Sequence, residues 1–162
     1  MKNKNASALD TWLTPASSYR AWDAQFHFDK FDPCPPNNNI EVFDGLKATW
    51  AKRVFCNPPY SLTLKEAFVK KALHSVQTGD SDLVVLLLPV STSTKLFHDI
   101  IAPNGKVDFI KGRLKFEGID REGNWVNANQ GMSKLPEELT TGRPQITRSG
   151  QFDSMLVIFG QN

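Results

Sequence analysis

The sequence predicts a single α/β domain with a largely parallel central sheet, and three observations favour this fold class. The chain has 162 residues, of which 40% are hydrophobic and 22% charged, as expected for one domain with its own core. Short apolar segments alternate with segments of helical periodicity along most of its length. The aliphatic run LVVLLL at 83–88 has the composition of a strand buried on both faces, which is typical of parallel sheets.

The first part of the chain predicts one helix and three short strands. The helix covers 16–26, where Trp22 and Phe26 lie four residues apart on one face. The strands are expected at 26–32, 40–45 and 53–56. Ligands bind at the carboxyl ends of strands in open α/β sheets, so the polar residues at these ends are candidates for a common crevice. They are Asp32, Asp44 and Asn57.

The second part of the chain begins with a well-signalled helix. Thr63 and Glu66 have the spacing of a capping box, which predicts the helix start at Thr63. Apolar residues then recur with helical spacing up to a stop at Gly79, at positions 69, 72, 73 and 76. The remaining elements are expected to be a strand at 82–89, a helix at 91–102, a strand at 106–110 that 112–116 continues or pairs with, and a last strand at 154–160.

Residues 117–150 differ in composition from the rest of the chain. They are rich in Gly, Asn and Thr and show no long apolar period. Long connections inside a compact domain are often functional. The sequence therefore predicts a polar insertion with a functional role before the last strand.

Charge and composition exclude few function classes. The formal net charge of +2 neither indicates nor excludes a nucleic-acid partner. Cys34 and Cys56 form no CxxC pair and the three histidines have no ligand spacing, so no metal site is expected. A reducing cytosol is the expected compartment. No apolar segment has the length of a signal peptide or a membrane span, so no membrane partner is expected.

The tetrapeptide NPPY at 57–60 carries the strongest chemical signal. Asn57 offers an amide oxygen as acceptor, and Pro58 and Pro59 stiffen the backbone and remove two N–H donors. With Tyr60 as a flat aromatic surface, these groups suit an exocyclic amino group on a planar ring. A nitrogen that attacks a methyl group becomes positive, so acceptors aimed at it stabilise the transition state. The alternative interpretation is an ordinary stiff turn.

NPPY also matches the (D/N/S)PP(Y/F) motif of amino-methyltransferases that use S-adenosylmethionine. The segments WLTP, FDPCPPNN, FDGLKATW, VFCNPPYS, LLLPVSTSTKLFHD and IKGRLKF follow the order seen in phage-type DNA N6-adenine methyltransferases (Dam). The chain resembles this family over about residues 11–116, and the segment SMLVIFG also fits. The resemblance implies a compact Rossmann-like S-adenosylmethionine-dependent methyltransferase fold in one domain, 1–162. No GxG follows the first strand, and the span from Asp32 to Asn57 is too short for the usual series of strands and helices, so a shortened cofactor half is expected.

The resemblance implies roles for individual residues. Asn57, Pro58, Pro59 and Tyr60 resemble the catalytic loop that holds the target adenine N6. Contacts to S-adenosylmethionine are implied for a second group of residues. They are Thr14 and Pro15 at the methionine end, Asp32 with Pro33 and Cys34 near the amino group, and Asp44 at the nucleoside.

Double-stranded DNA is the partner that the resemblance implies. Adenine N6 lies inside the duplex, so the base must be extruded and a second surface must hold phosphates. The candidate DNA contacts are Lys111, Arg113, Lys115, Phe116, Arg143 and Arg148. The basic residues are otherwise a solvated strand and loop, and Phe116 is either a cover for the base or a core residue. The insertion at 117–150 is the candidate DNA-recognition region.

The implied activity is site-specific transfer of a methyl group to adenine N6 in the cytoplasm, or in the host cytoplasm if the chain is phage-encoded. Two alternatives remain open. One is a protein-glutamine N-methyltransferase, because such enzymes share NPPY. The other is a catalytically inactive DNA-binding or decoy module on the same scaffold, which the missing GxG favours.

Overall fold

Two β-sheets and the helices around them make up the fold, in a computed structural model that describes residues 12–35, 40–114, 116–119, 125–127 and 152–161. The elements in chain order are β1 (Trp12–Leu13), α1 (Ala16–Phe26), β2 (Arg53–Cys56), α2 (Leu62–Gln77), β3 (Leu83–Pro89), a π-helix (Leu96–Ile101), α3 (Ala102–Asn104), β4 (Lys106–Phe109), β5 (Glu117–Ile119), β6 (Trp125–Asn127) and β7 (Ser154–Gly160).

The central sheet has the strand order β2-β3-β7-β4. β2 pairs in parallel with β3, whereas β7 is antiparallel to both β3 and β4. β2, β3 and β4 therefore run in one direction, and the last strand of the chain inserts against them. The α/β class is confirmed. The prediction of a largely parallel sheet is wrong for the strand pairing, because only one of the three strand pairs of this sheet is parallel. Aliphatic composition reports burial on both faces and does not report direction.

The sheet separates two apolar cores. On β3, Val84, Leu86 and Leu88 belong to one core, with α2 and the π-helix. The alternate side chains Leu83, Val85 and Leu87 face the other core, which α1 covers. Every residue from 83 to 88 is buried, so the prediction of a strand buried on both faces is confirmed. Full burial of each such leucine contributes about 1.5–3 kcal/mol to the folded state.

α2 forms where the apolar spacing predicts it, but it begins earlier. The helix starts at Leu62 with Ser61 as its N-cap residue, so the predicted capping box at Thr63 is wrong. Glu66 instead pairs with Lys70 one turn later. Val69 and Ala72 are fully buried, which confirms the predicted apolar stripe. Gly79 follows the helix with φ +80°, as expected for a residue just beyond a helix end.

The two strands predicted before β2 are wrong. α1 ends at Phe26 and His27 adopts φ 54°, and residues 27–32 then form no strand ladder, with a tight turn in which the Phe31 N–H donates to the Asp29 carbonyl at 2.8 Å. Residues 40–47 form turns, in which the Asp44 carboxylate accepts the Leu46 N–H at 3.0 Å. Ile40 and Val42 are 67% and 82% exposed, so their apolar character does not reflect a buried strand face.

The helix predicted at 91–102 is shorter and of another type. Thr94 Oγ1 accepts the Phe97 N–H at 3.2 Å, and a π-helix then covers Leu96–Ile101 before α3. The wider π-turn buries both Leu96 and Ile101 against the sheet. The strand predicted at 106–110 is confirmed as β4, and the last strand is confirmed as β7. Residues 112–114 and 116 are not in a strand.

A small antiparallel sheet in the order β1-β5-β6 links the start of the chain to the polar insertion at 117–150. Trp12 is opposite Gly118, and Leu13 is opposite Glu117. β5 also pairs with β6, with Ile119 opposite Trp125. The rest of 117–150 lies outside the described residues, so the predicted insertion is described only where these two strands form.

Gly160 tests how tightly β7 is fitted beside β3. An added Cβ at Gly160, which has φ +88°, would lie 2.0 Å from the Asp82 carbonyl oxygen. Gly160→Ala is therefore expected to cost about 3 kcal/mol or more, because the backbone must move in addition to the strain of a positive φ. Denaturant unfolding measures this loss.

Gly79→Ala is the matched control, because Gly79 has φ +80° but no atom within 4 Å of an added Cβ. It carries the backbone strain alone, about 1–2 kcal/mol. Equal losses in the two variants would contradict the close packing of Gly160 against Asp82.

Candidate active site

A cleft of about 580 Å³ opens where β2 ends and α1 begins. Its residues come from three segments: β1 through the first turn of α1, the segment after α1, and the end of β2. They are Leu13, Thr14, Ala16, Tyr19, Asp29, Lys30, Phe31, Asp32, Cys34, Phe55 and Asn57. The cleft thus lies at the carboxyl end of a strand, where open α/β sheets bind ligands. Its volume is within the range of about 300–1,000 Å³ typical of small-molecule sites.

The first residue of NPPY is held in the cleft by a side chain from the start of the chain. Asn57 Nδ2 donates a hydrogen bond to Thr14 Oγ1 at 3.2 Å, across 43 residues of sequence. The bond fixes the plane of the Asn57 amide and so orients its Oδ1. Thr14 and Asn57, which the sequence assigned to different functions, therefore form one unit.

Asp29 holds the segment after α1 against β2. The Asp29 N–H donates to the Arg53 carbonyl at 2.8 Å, and the Arg53 N–H donates to Asp29 Oδ2 at 2.9 Å. The Arg53 guanidinium also donates to the Phe26 carbonyl at the end of α1, through Nε at 2.7 Å. These bonds satisfy backbone groups at the edge of the sheet and fix the wall of the cleft that carries Lys30 and Phe31.

Asp32 forms the turn at the far end of that wall. Its Oδ1 accepts the Cys34 N–H at 2.8 Å, which is an Asx turn. Desolvation raises the pKa of Asp32, and the hydrogen bond from Cys34 lowers it, so burial has the larger effect. Burial, followed by the charges of Asp23 and Asp32, raises the pKa of Tyr19, which keeps that hydroxyl protonated.

Pro33 and Asp44 lie where the segment after α1 packs against the turn at Gly45. Pro33 is buried, and its carbonyl approaches Gly45 so closely that an added Cβ there would lie 1.9 Å from it. Trp50 Nε1 donates to the Gly45 carbonyl at 2.7 Å, so the turn is fixed to the core. Asp44 caps this turn and pairs with Lys47, and it is not one of the cleft residues. Pro15, the N-cap residue of α1, does not line the cleft either.

The rest of NPPY turns away from this cleft toward the core that α1 covers. Pro58 is buried and Pro59 is partly buried. The Tyr60 hydroxyl donates to the Leu87 carbonyl at 3.3 Å, and burial raises the pKa of Tyr60 well above its ordinary value. The Tyr60 ring meets Phe116 and Phe152 edge to face, with centroids 6.2 and 5.6 Å apart.

The residues with a predicted DNA role fall into three groups. Phe116 is 1% exposed, so in this conformation it contributes to the core and presents no surface to DNA. Lys111 and Arg113 are exposed after β4, and Arg113 Nε lies 3.5 Å from Asp153 Oδ1. Lys115, Arg143 and Arg148 lie outside the described residues.

Sequence reasoning missed the aromatic side of the cleft. Tyr19 and Phe55 pack edge to face at 5.4 Å, and both line the cleft together with Phe31. Asp29 and Lys30 were also missed, because the alternating pattern of 26–32 was interpreted as a strand. The one available signal was an acid and a base between aromatic residues in FHFDKFD.

The described residues include no group of three or more His, Cys, Asp or Glu side chains arranged to hold a metal ion. None of their helices combines the length and the apolar character needed to cross a membrane.

Comparison with known proteins identifies the family. No curated protein and no solved structure matches the chain. Residues 2–138, well over half of the chain, match the family model described as DNA N-6-adenine-methyltransferase (Dam), a family whose activity is methylation of adenine N6 in DNA. The predicted resemblance is thus confirmed, and the chain belongs to the Dam family.

Proposed function

We propose that this protein transfers a methyl group from S-adenosylmethionine to N6 of an adenine extruded from double-stranded DNA at a specific site. One observation carries the proposal: Asn57, the first residue of NPPY, is held by Thr14 in a cleft at the carboxyl end of β2. Membership of the Dam family supports the reaction and the nucleic-acid substrate.

The chemistry of the cleft fits S-adenosylmethionine. Tyr19, Phe31 and Phe55 offer apolar surface for a purine and a thioether. Asp29 and Asp32 offer carboxylates for amino and hydroxyl groups, and Lys30 offers a cation for a carboxylate. When bound, this cofactor supplies a methyl group on a positively charged sulfur.

Asn57 and Pro58 are proposed to act on the attacking nitrogen. Asn57 Oδ1 and the Pro58 carbonyl accept hydrogen bonds from the adenine amino group, which fixes the nitrogen in line for attack. As N6 becomes positive, the same two acceptors stabilise the developing charge. The Thr14 bond keeps the Asn57 amide from rotating and presenting its donor instead.

Tyr60 is proposed to be the surface on which the extruded base stacks. Its hydroxyl is tied to Leu87, and its ring packs nearly perpendicular to Phe116 and Phe152, so the ring plane is fixed before the base arrives. Phe116 thereby acts on the site through Tyr60. The raised pKa of Tyr60 keeps the ring neutral across the working pH range.

DNA contact is proposed for the exposed basic residues after β4 and for the polar insertion at 117–150. Lys111 and Arg113 lie on the surface, and Lys115, Arg143 and Arg148 complete the proposed set. Their role is to hold phosphates, while residues 117–150 read the bases. Extrusion of the adenine then brings N6 to NPPY.

The fold proposed for this activity is a Rossmann-like single domain, 1–162, with a shortened cofactor half. The segment after α1 is joined to the edge strand β2 by one Asp29–Arg53 backbone bond, at the side where a further strand would lie. A cytoplasmic location is proposed because DNA is the proposed substrate, and no metal is assigned to the proposed reaction.

The direct test is transfer of labelled methyl from S-adenosylmethionine to unmethylated duplex DNA. Asn57→Ala is expected to lower kcat by about 10²–10³, because it removes an acceptor aimed at the transition state. Thr14→Val should lower kcat by about tenfold, since it leaves the amide in place but removes its positioning bond.

Thr92→Val at an exposed turn is the control for Thr14. A parent-like rate in Asn57→Ala would rule out its catalytic role. Absence of transfer by the parent to any DNA, with calorimetry showing no cofactor binding, would favour the inactive module.

Tyr60 variants separate the ring from the hydroxyl. Tyr60→Phe is expected to keep most of the methyl transfer while losing about 0.5–1.5 kcal/mol of stability, because only the bond to Leu87 is removed. Tyr60→Leu should lose stacking worth about 1–3 kcal/mol per base, and its kcat/KM for DNA should fall accordingly. Equal activity in the two variants would show that the base does not stack on this ring.

Asp32→Asn separates cofactor affinity from stability. The folded-state pKa of Asp32 is raised above the ordinary 3.8, so the folded state retains the proton longer as pH rises. Stability therefore falls as pH rises from 3.8 through that raised pKa, and ionised Asp32 opposes folding at pH 7.

Asn keeps an oxygen for the Cys34 N–H, so Asp32→Asn should raise Tm at pH 7 and leave it little changed below pH 3.8. It should also weaken S-adenosylmethionine binding about tenfold by removing a charged acceptor. Thermal unfolding and calorimetry measure the two effects. A lower Tm at pH 7 with unchanged affinity would contradict both expectations.

A further inference from the structure

Two thiols meet beside the cleft, although 22 residues separate them in sequence. Cys34 Sγ and Cys56 Sγ lie 3.8 Å apart, and both cysteines are reduced. Cys34 is partly exposed and lines the cleft. Cys56 is fully buried at the end of β2 and directly precedes Asn57. These are the two cysteines of the chain, and nothing in their spacing indicated that they meet.

The surroundings of this pair allow a bond to form. A disulfide needs the sulfurs about 2.05 Å apart, so the pair must close by less than 2 Å. Cys56 belongs to a strand and cannot move far, but Cys34 lies in a turn without a strand ladder. Solutes that enter the cleft reach Cys34 first. Burial raises the pKa of Cys56 well above its ordinary value, so this thiol stays protonated until its partner reacts.

We propose that Cys34 and Cys56 are a redox pair that hydroperoxides oxidise to a reversible disulfide, which closes the candidate cofactor cleft. The Cys34 sulfur attacks the peroxide O–O bond, becomes a sulfenic acid and releases water. The Cys56 sulfur then attacks the sulfenic sulfur, and its proton leaves with the hydroxyl as a second water. Two thiols and one hydrogen peroxide thus give one disulfide and two waters. A dithiol restores the pair by exchange.

The consequence for activity rests on the proposed function. The Cys34 N–H holds the Asp32 carboxylate, so drawing Cys34 toward β2 displaces the acid end of the cleft. The bond also strains the residue next to Asn57. Methyl transfer is expected to fall by about 10²-fold, the loss that an ångström of misplacement produces. A bound cofactor would cover Cys34, so it should slow the oxidation.

The experiment treats the full-length protein with hydrogen peroxide and reads the product by intact mass and thiol titration. The expected product is a monomer that has lost two hydrogen atoms and both titratable thiols, with peptide mapping joining Cys34 to Cys56 and dithiothreitol reversing the change. Persistence of both thiols, a dimer joined between chains, or stable oxygen adducts on Cys34 would overturn the proposal. None of these readouts requires methyl transfer, so a failure of the proposed function leaves them interpretable.

Cys56→Ala tests the link to activity. In this variant peroxide cannot form the bond, and a dithiol should recover any Cys34 sulfenic acid. Methyl transfer, whatever its starting rate, should therefore be the same before peroxide and after peroxide followed by dithiothreitol, and no crosslinked peptide should appear. The parent assayed before the dithiol should lose about 10²-fold and then recover. Full parent activity in a sample shown by mass to be disulfide-bonded would overturn the closing of the cleft.

S-adenosylhomocysteine should slow disulfide formation in the parent, and an unchanged rate at saturation would count against Cys34 lining the cofactor site.

Discussion

The exchange of hydrogen bonds between Asp29 and Arg53 is the constraint on which the candidate site depends. β2 is an edge strand of the central sheet, so its outer N–H and C=O groups need partners from outside the sheet. Asp29 supplies one partner with its backbone and another with its carboxylate. The same contact fixes the segment after α1 at Arg53, the first residue of β2, and Cys34 further along this segment lies beside Cys56, the last residue of the strand and the neighbour of Asn57. The hydrogen bonds that satisfy the outer backbone groups of this edge strand therefore also fix one wall of the cleft.

The sequence predicted most reliably those features that depend on local composition. β3 was correct because its six buried aliphatic residues end at Pro89, and β7 was correct because its short apolar run ends at Gly160, lengths and flanks that favour a strand over a helix. NPPY was found because its chemistry resides in adjacent residues. The segment 26–32 failed because α1 extends through Phe26 and His27 takes a left-handed conformation, and alternation alone does not report either event. The direction of β7 could not be read either, since a strand buried on both faces has the same composition in either orientation.

Contacts between distant parts of the chain could not be predicted from the sequence, for a different reason. The bond between Thr14 and Asn57 spans 43 residues, and the contact between Cys34 and Cys56 spans 22. Each residue has an ordinary local role, so no local pattern marks it as part of a pair. The family resemblance supplied Thr14 as a candidate, but it assigned Thr14 to the cofactor and not to the orientation of Asn57. The fold adds the bond from Asn57 to Thr14.

The same sharing of residues between core and site explains the surroundings of Tyr60. A ring that is to receive a base must present a face, and its edges must be held so that the face does not turn. Phe116 and Phe152 pack nearly perpendicular to the Tyr60 ring, and Leu87 in the buried centre of β3 holds the hydroxyl. Because β3 is buried on both faces of the sheet, the bond to Leu87 attaches the loop directly to the core. A residue buried at 1% exposure, such as Phe116, can thus influence the proposed chemistry without touching DNA, and its burial and its place beside NPPY are two aspects of one arrangement.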